Sequence, residues 1–326
     1  MHKTHSQNRK ILRRIIWIFA IVFVLLNVVA IFQAYRFTHF SGDISTKTRK
    51  PAELSAFEKI KVLALGVSNP RPVNTSGPHG HFETIMLQSN KKIECWFIKH
   101  SPSPQPAKGT VILCHGYSGN KATMLDKAAI FDQLGYNTFL IDFMGSGGSE
   151  GNNTTIGYKE AGEVKTAYEY LKGQNTKSIY LFGTSMGAVA IMKAISEYDL
   201  QPKGIMLECP FGSMYQTVCN RFRNMNVPAF PMAGLLVFWG GIENGFWAFG
   251  HNPTKYAESI SCPTLLMYGL KDKNVSRNEI DVIYKNLNGP KSLKLFSDAG
   301  HENYLTKYKP GWTQAVRKFM DADSLK

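Results

Sequence analysis

The chain has 326 residues, 44% of them hydrophobic, five cysteines and a formal net charge of +14. That length suits one globular domain with added segments, large enough to fold without disulfides, and five widely spaced cysteines with no CxxC pair argue against a disulfide framework or a zinc site. Nine Lys/Arg against the single acid Asp43 place +8 of the charge in the first 50 residues, around an apolar segment, a pattern that points to lipid and topology rather than to nucleic acid.

Residues 1–14 form a basic tail. From Ile15 to Tyr35 there are 21 residues without a charge, which as a helix would span about 32 Å, the thickness of a hydrocarbon core. Trp17 and Tyr35 suit the two interfacial belts, and only Asn27 and Gln33 are strongly polar. A transmembrane helix over 15–35 is expected, with a cleaved signal peptide (a small-residue site at Val28-Val29-Ala30) and a buried core helix as alternatives. Lys3, Arg9, Lys10, Arg13 and Arg14 favour a cytoplasmic N-terminus and a domain on the outer or lumenal side of a single-pass protein. Residues 36–80, with Pro51, Pro70, Pro72 and Pro78, read as a tether carrying a short helix over 54–66.

Beyond residue 80 the chain becomes regular. Phe82–Leu87 and Ile93–Ile98 flank a Ser-Asn-Lys-Lys turn and read as a hairpin. Continuously apolar runs follow at Thr110–Cys114, Thr138–Ile141, Ile179–Phe182, Ile205–Leu207 and Thr264–Tyr268. Such runs are buried on both faces, as in a parallel sheet. Helical patterns lie between them, as where Ala161, Val164, Ala167, Tyr168 and Leu171 recur at helical spacing. The expectation is an α/β fold with a mostly parallel sheet covered by helices, and with its chemistry at the carboxyl ends of the strands.

One such strand end carries Gly183-Thr184-Ser185-Met186-Gly187 followed by a helical run. This is G-x-S-x-G in the strand–turn–helix context it requires, and makes Ser185 the candidate nucleophile. His301, in the loop after Ser292–Phe296, can reach back over the sheet as general base. Asp272, just past Thr264–Tyr268, can orient it; Glu208, at the end of the preceding strand, is the rival acid. The backbone N–H groups of Tyr117 and Met186 are the expected oxyanion donors. His115 is expected to support its loop, and His100 and His251 are less well placed.

The order Ser185, Asp272, His301, together with His115-Gly116, the Asp142-x-x-Gly145-x-Gly147-x-Ser149-x-Gly151 run, Gly269-x-x-Asp272 and Gly300-His301, resembles the α/β-hydrolase superfamily over about residues 80–322. The serine aminopeptidase-like and monoacylglycerol lipase-like branch is the most similar. Met144 stands where that branch commonly has arginine. The resemblance implies an α/β-hydrolase domain over 81–326 with a helical lid at about 210–260. That segment is rich in aromatic residues, among them Phe211, Tyr215, Phe222, Phe238, Trp239 and Trp247. It is either an acyl-binding, lipid-facing wall or ordinary lid packing.

The leading functional expectation is hydrolysis of carboxylic esters, including lipid esters or thioesters, through an acyl-Ser185 intermediate. The implied partners are a small-molecule acyl substrate and the bilayer, with no nucleic acid, metal or cofactor. An amidase, an aminopeptidase or an acyltransferase would use the same triad. A non-catalytic binding protein on this fold is the alternative from another class.

Overall fold

A computed structural model describes residues 2–42, 47–49, 53–100 and 106–324. Residues 43–46 and 50–52 of the expected tether, Asp43, Lys50 and Pro51 among them, lie outside the described residues.

Eight strands form one sheet: β1 (Phe82–Gln88), β2 (Lys92–Ile98), β3 (Thr110–Cys114), β4 (Asn137–Ile141), β5 (Ile179–Thr184), β6 (Gly204–Glu208), β7 (Thr264–Gly269) and β8 (Lys291–Phe296). Their order is β1-β2-β4-β3-β5-β6-β7-β8. The β1–β2 hairpin is antiparallel, β2 runs antiparallel to β4, and all pairs from β4 through β8 are parallel. The apolar runs take the buried places: every residue of β3, β6 and β7 is buried. The helix α4 (Glu160–Gly173) buries Ala161, Val164, Ala167, Tyr168 and Leu171 on one side of the sheet. On the other side α3 (Leu125–Gln133) and α10 (Tyr304–Ser324) bring Phe131 and Trp312 against Phe182.

The segment between β6 and β7 is helical: α6 (Met214–Asn224), α7 (Met232–Asn244) and the short α8 (Pro253–Tyr256). It sits above the carboxyl ends of the strands, where the sequence reading puts the lid.

The N-terminal helix α1 runs from His2 to Thr38, longer at both ends than the 15–35 span read from the charge pattern. Arg14 and Arg36 bound the apolar run but do not stop the helix, because nothing in either flank breaks its hydrogen bonding. Its Asn8–Thr38 stretch is long and apolar enough to cross a membrane. Phe19 and Phe23 stand 70% and 63% exposed, so most of this length has no protein cover. The last turns differ. Ala30 and Ala34 are buried, and a Cβ built on Gly240 of α7 would lie 3.8 Å from that of Ala34, a close approach that small residues permit. Asn27 accepts from the Trp239 indole N–H at 2.9 Å, and Gln33 donates to the Leu63 carbonyl of α2 (Ala56–Leu65). The two polar breaks in the apolar run are therefore its attachment points.

The described part of residues 36–80 does not behave as a free tether. Phe40 is 4% exposed, Asn69 is hydrogen-bonded to Tyr117 and Ser118, and the Pro72 carbonyl accepts from Gly147. Proline-rich composition sets an extended path, and that path is laid along the domain. The α2 helix matches the short helix read over 54–66, with Ser55 and Glu58 completing a capping box.

Candidate active site

The serine sits where the chain turns hardest. Ser185 has φ 52° and ψ −111°, an unusual conformation for a residue with a Cβ, between β5 and α5 (Met186–Tyr198). The flanking glycines explain how the turn is accommodated. A Cβ on Gly183 would stand 2.5 Å from the Ala188 amide, and one on Gly187 would stand 2.3 Å from the Cys114 carbonyl oxygen. Only glycine lets the end of β3 and the start of α5 come this close.

Ser185 Oγ lies 3.0 Å from His301 Nε2, and His301 Nδ1 lies 2.7 Å from Asp272 Oδ2. The other Asp272 oxygen accepts from the backbone N–H groups of Asn274 and Val275, at 2.7 and 3.0 Å. The structure thus brings together the three residues named from the sequence. The rival Glu208 points elsewhere: its carboxylate accepts from Trp312 Nε1 and Thr184 Oγ1.

Burial on its own would lower the pKa of His301. The adjoining Cys209 sulfur and the hydrogen-bonded Asp272 carboxylate outweigh burial and hold it well above the ordinary 6.5. A base must be neutral to take the serine proton, so kcat/KM is expected to climb with pH and to reach its plateau above the ordinary histidine range. The sign for stability is opposite. A folded-state pKa raised above the unfolded one stabilises the fold fully below the unfolded value, and that stabilisation fades as pH rises through the folded value. Paired kcat/KM and thermal-unfolding profiles check both; an activity plateau already complete at about pH 6 would contradict the raised value.

Gly116 brings the loop after β3 against the serine elbow, since its built Cβ would lie 3.3 Å from the Thr184 carbonyl oxygen and 3.8 Å from Ser185 Cβ. Among the described residues, no protein acceptor takes the N–H of Tyr117 or of Met186. Met186 opens α5, so its amide carries the positive end of the helix dipole. His115 is wholly buried, with Nδ1 on the Gly116 carbonyl at 2.8 Å and Nε2 accepting from the Phe143 N–H at 3.1 Å. Burial lowers its pKa, in keeping with a neutral loop support. His251 is buried within the lid segment, where burial holds its pKa down at about 4, and His100 pairs with Asp132. Met144 makes no ionic contact; its N–H donates to Glu163, a buried carboxyl whose pKa burial and the adjacent Glu160 push well up.

A cavity of about 550 Å³ opens over Ser185 and His301. Sequence reading missed two of its walls. Gln33, Ala34 and Phe37 of α1 line it, facing Leu236 and Val237 of α7. Arg221 of α6 lines it as well. Tyr117 joins α1 to the elbow region: its hydroxyl donates to the Phe37 carbonyl at 2.7 Å, and the two rings stack 4.8 Å apart. Cys209, 1% exposed, lies beside Asp272 and His301, and all five cysteines are free thiols.

The serine aminopeptidase (S33) family model matches residues 105–239, which hold the elbow and the loop after β3. An esterase of Pyrococcus furiosus, Pf2001, superposes with a TM-score of 0.63 at 23% identity, covering 78% of this chain and 98% of its own. The chain has the α/β-hydrolase fold. A carboxylesterase of Bacillus subtilis is 24% identical to this hydrolase over 251 residues, 68% of this chain and 97% of the relative. The uncharacterized protein YqkD of the same organism is 25% identical over 223 residues, 67% and 73% of the two chains. The fold expected from the strand–helix alternation, the serine elbow and the helical insertion is the fold found.

Proposed function

We propose that this hydrolase is a membrane-anchored serine esterase that cleaves carboxylic esters with long acyl chains through an acyl-Ser185 intermediate. The observation that carries the reading is the Ser185–His301–Asp272 chain of hydrogen bonds opening onto a cavity walled by the membrane-length helix α1. His301 takes the hydroxyl proton as Ser185 Oγ attacks the carbonyl carbon. The Tyr117 and Met186 amides receive the developing oxyanion, and the imidazolium then protonates the leaving alcohol. Water, activated by the same imidazole, releases the acid.

Several features support a substrate drawn from lipid. Elements that line the cavity also carry exposed apolar residues, Phe57 and Ile60 on α2 and Phe230, Phe238 and Ile242 in the lid. An aminopeptidase would need an acid to hold a peptide's amino group. Among the described residues, the acid lining this cavity is Glu302, which already binds Lys307 and the Gly300 N–H. The basic N-terminal tail favours a cytoplasmic N-terminus and a hydrolase domain on the outer or lumenal side.

A charged, membrane-impermeant fluorophosphonate tests mechanism and sidedness together, because it reacts only with an activated serine. Added to sealed cells or right-side-out vesicles, it is expected to label the intact protein and to leave Ser185→Ala unlabelled. Labelling that survives the substitution would name the wrong serine. Labelling only after lysis would place the domain on the cytoplasmic side.

A further inference from the structure

Arg221 is a cation that the proposed reaction does not use. It stands on α6 and lines the same cavity as Ser185 and His301. Its guanidinium carbon lies 4.2 Å from the centre of the Phe37 ring and 5.6 Å from that of Tyr117. Among the described residues its N–H donors form no side-chain hydrogen bond, so they remain to be used. Among the described residues no carboxylate pairs with it: burial draws its pKa down, and the only side chain drawing it back up is the Tyr117 phenol. It stays charged at neutral pH nonetheless.

The rest of the cavity is unbalanced in the same direction. Lys47 and Arg49 line it too. Among the described residues the Lys47 ammonium reaches a single carbonyl, that of Ser118, at 3.5 Å, whereas Arg49 pairs with Glu58. Glu302, as described above, is engaged. Apolar residues of α1 and α7, Ala34, Phe37, Leu236 and Val237 among them, line the same cavity. A charge taken out of water is costly unless it is paired and hydrogen-bonded. A cavity that holds the nucleophile and is lined both by apolar residues and by a guanidinium without a carboxylate partner among the described residues suits an amphiphile with a negative end.

We propose that Arg221 binds an anionic group, a carboxylate or a phosphate, carried on the alcohol side of the acyl ester, so that the enzyme selects anionic over neutral esters of the same chain. This rests on the serine esterase reading and adds the substrate's charge to it.

The test uses the full-length protein in detergent micelles with three esters of one acyl chain: dodecanoyl glycerol, dodecanoyl glycerate and dodecanoyl glycerol phosphate. The readout is the ratio of kcat/KM for each anionic ester to that for the neutral one, which cancels any general loss of folded enzyme. One charge-assisted bidentate contact supports a ratio of about tenfold or more in the wild type. Arg221→Met, which keeps the apolar stem against Phe37, is expected to bring it to about one. Arg221→Lys, which keeps the charge and loses the fork, should fall between. Which anionic ester gains more identifies the group. A wild type that does not prefer either anionic ester, or a ratio unchanged in Arg221→Met, overturns the proposal and leaves Arg221 as a clamp on the Phe37–Tyr117 stack. If no ester is cleaved, the esterase reading fails separately. Binding of dodecyl phosphate to the Ser185→Ala protein then decides: at least tenfold weaker binding on adding Arg221→Met supports the anion site, and equal binding removes it.

Discussion

Asp272→Asn is expected to lower kcat by about four orders of magnitude while leaving the fold intact, the size of effect found when a triad loses its acid. The local geometry dictates the direction in which the new amide would face. One oxygen of Asp272 accepts two backbone N–H groups, those of Asn274 and Val275, and the other accepts from His301 Nδ1. An asparagine must keep its carbonyl toward the two backbone donors. Its NH₂ group then faces Nδ1 and donates to it, which forces the ring proton onto Nε2. A protonated Nε2 cannot accept from Ser185 Oγ. Turnover of a short-chain nitrophenyl ester, read beside a thermal melt, checks this. A loss of less than tenfold would mean that another group orients His301. Glu208 could not be that group without abandoning Trp312 and Thr184.

The second large effect is on stability. Gly187→Ala would set a Cβ 2.3 Å from the Cys114 carbonyl oxygen and 2.7 Å from both the Cys114 carbonyl carbon and the His115 oxygen. These are backbone atoms at the end of a central strand, and they can yield only if α5 lifts away from β3. Clashes of this kind belong among the most damaging single substitutions, about 4 kcal/mol or more. For a domain of this size that corresponds to a Tm lower by roughly 10 °C. Gly173, at the end of α4 with open space around it, is the control; Gly173→Ala should change Tm little or raise it slightly. A Gly187→Ala protein melting with the wild type would mean that the elbow is looser than described.

Much of this site was legible because its signals are local. Continuous apolar runs mark strands buried on both faces, and Gly183 and Gly187 announce a turn no other residue fits. Asp272 and His301 stand directly after strands whose position in the sheet is set by their order in the chain. What could not be read depends on contacts between distant segments. An apolar helix has the same composition whether it faces lipid or α7, so the sequence offered no sign that Ala30 and Ala34 are covered while Phe19 and Phe23 are not. The prolines of residues 36–80 describe an extended path but not the surface it follows, and Phe40 and Asn69 look unremarkable until they are seen packed. Arg221 was hidden for a related reason. An arginine in a polar stretch of helix, with Arg223 two residues on, reads as a solvated face, and only the fold turns Arg221 toward Phe37 and Tyr117.

The division of α1 into a bare length and a covered end has a consequence for how its residues can vary. Toward the N-terminus a position need only be apolar, and Ile, Val, Leu and Phe are interchangeable there. From Asn27 onward one face of the helix has specific neighbours: Asn27 meets Trp239, Ala34 meets Gly240, and Phe37 meets Tyr117. Replacing α1 by an unrelated apolar helix of the same length would therefore keep its hydropathy and remove a wall of the cavity. One helix thus meets two kinds of physical demand, generic along most of its length and individual on one face of its last three turns.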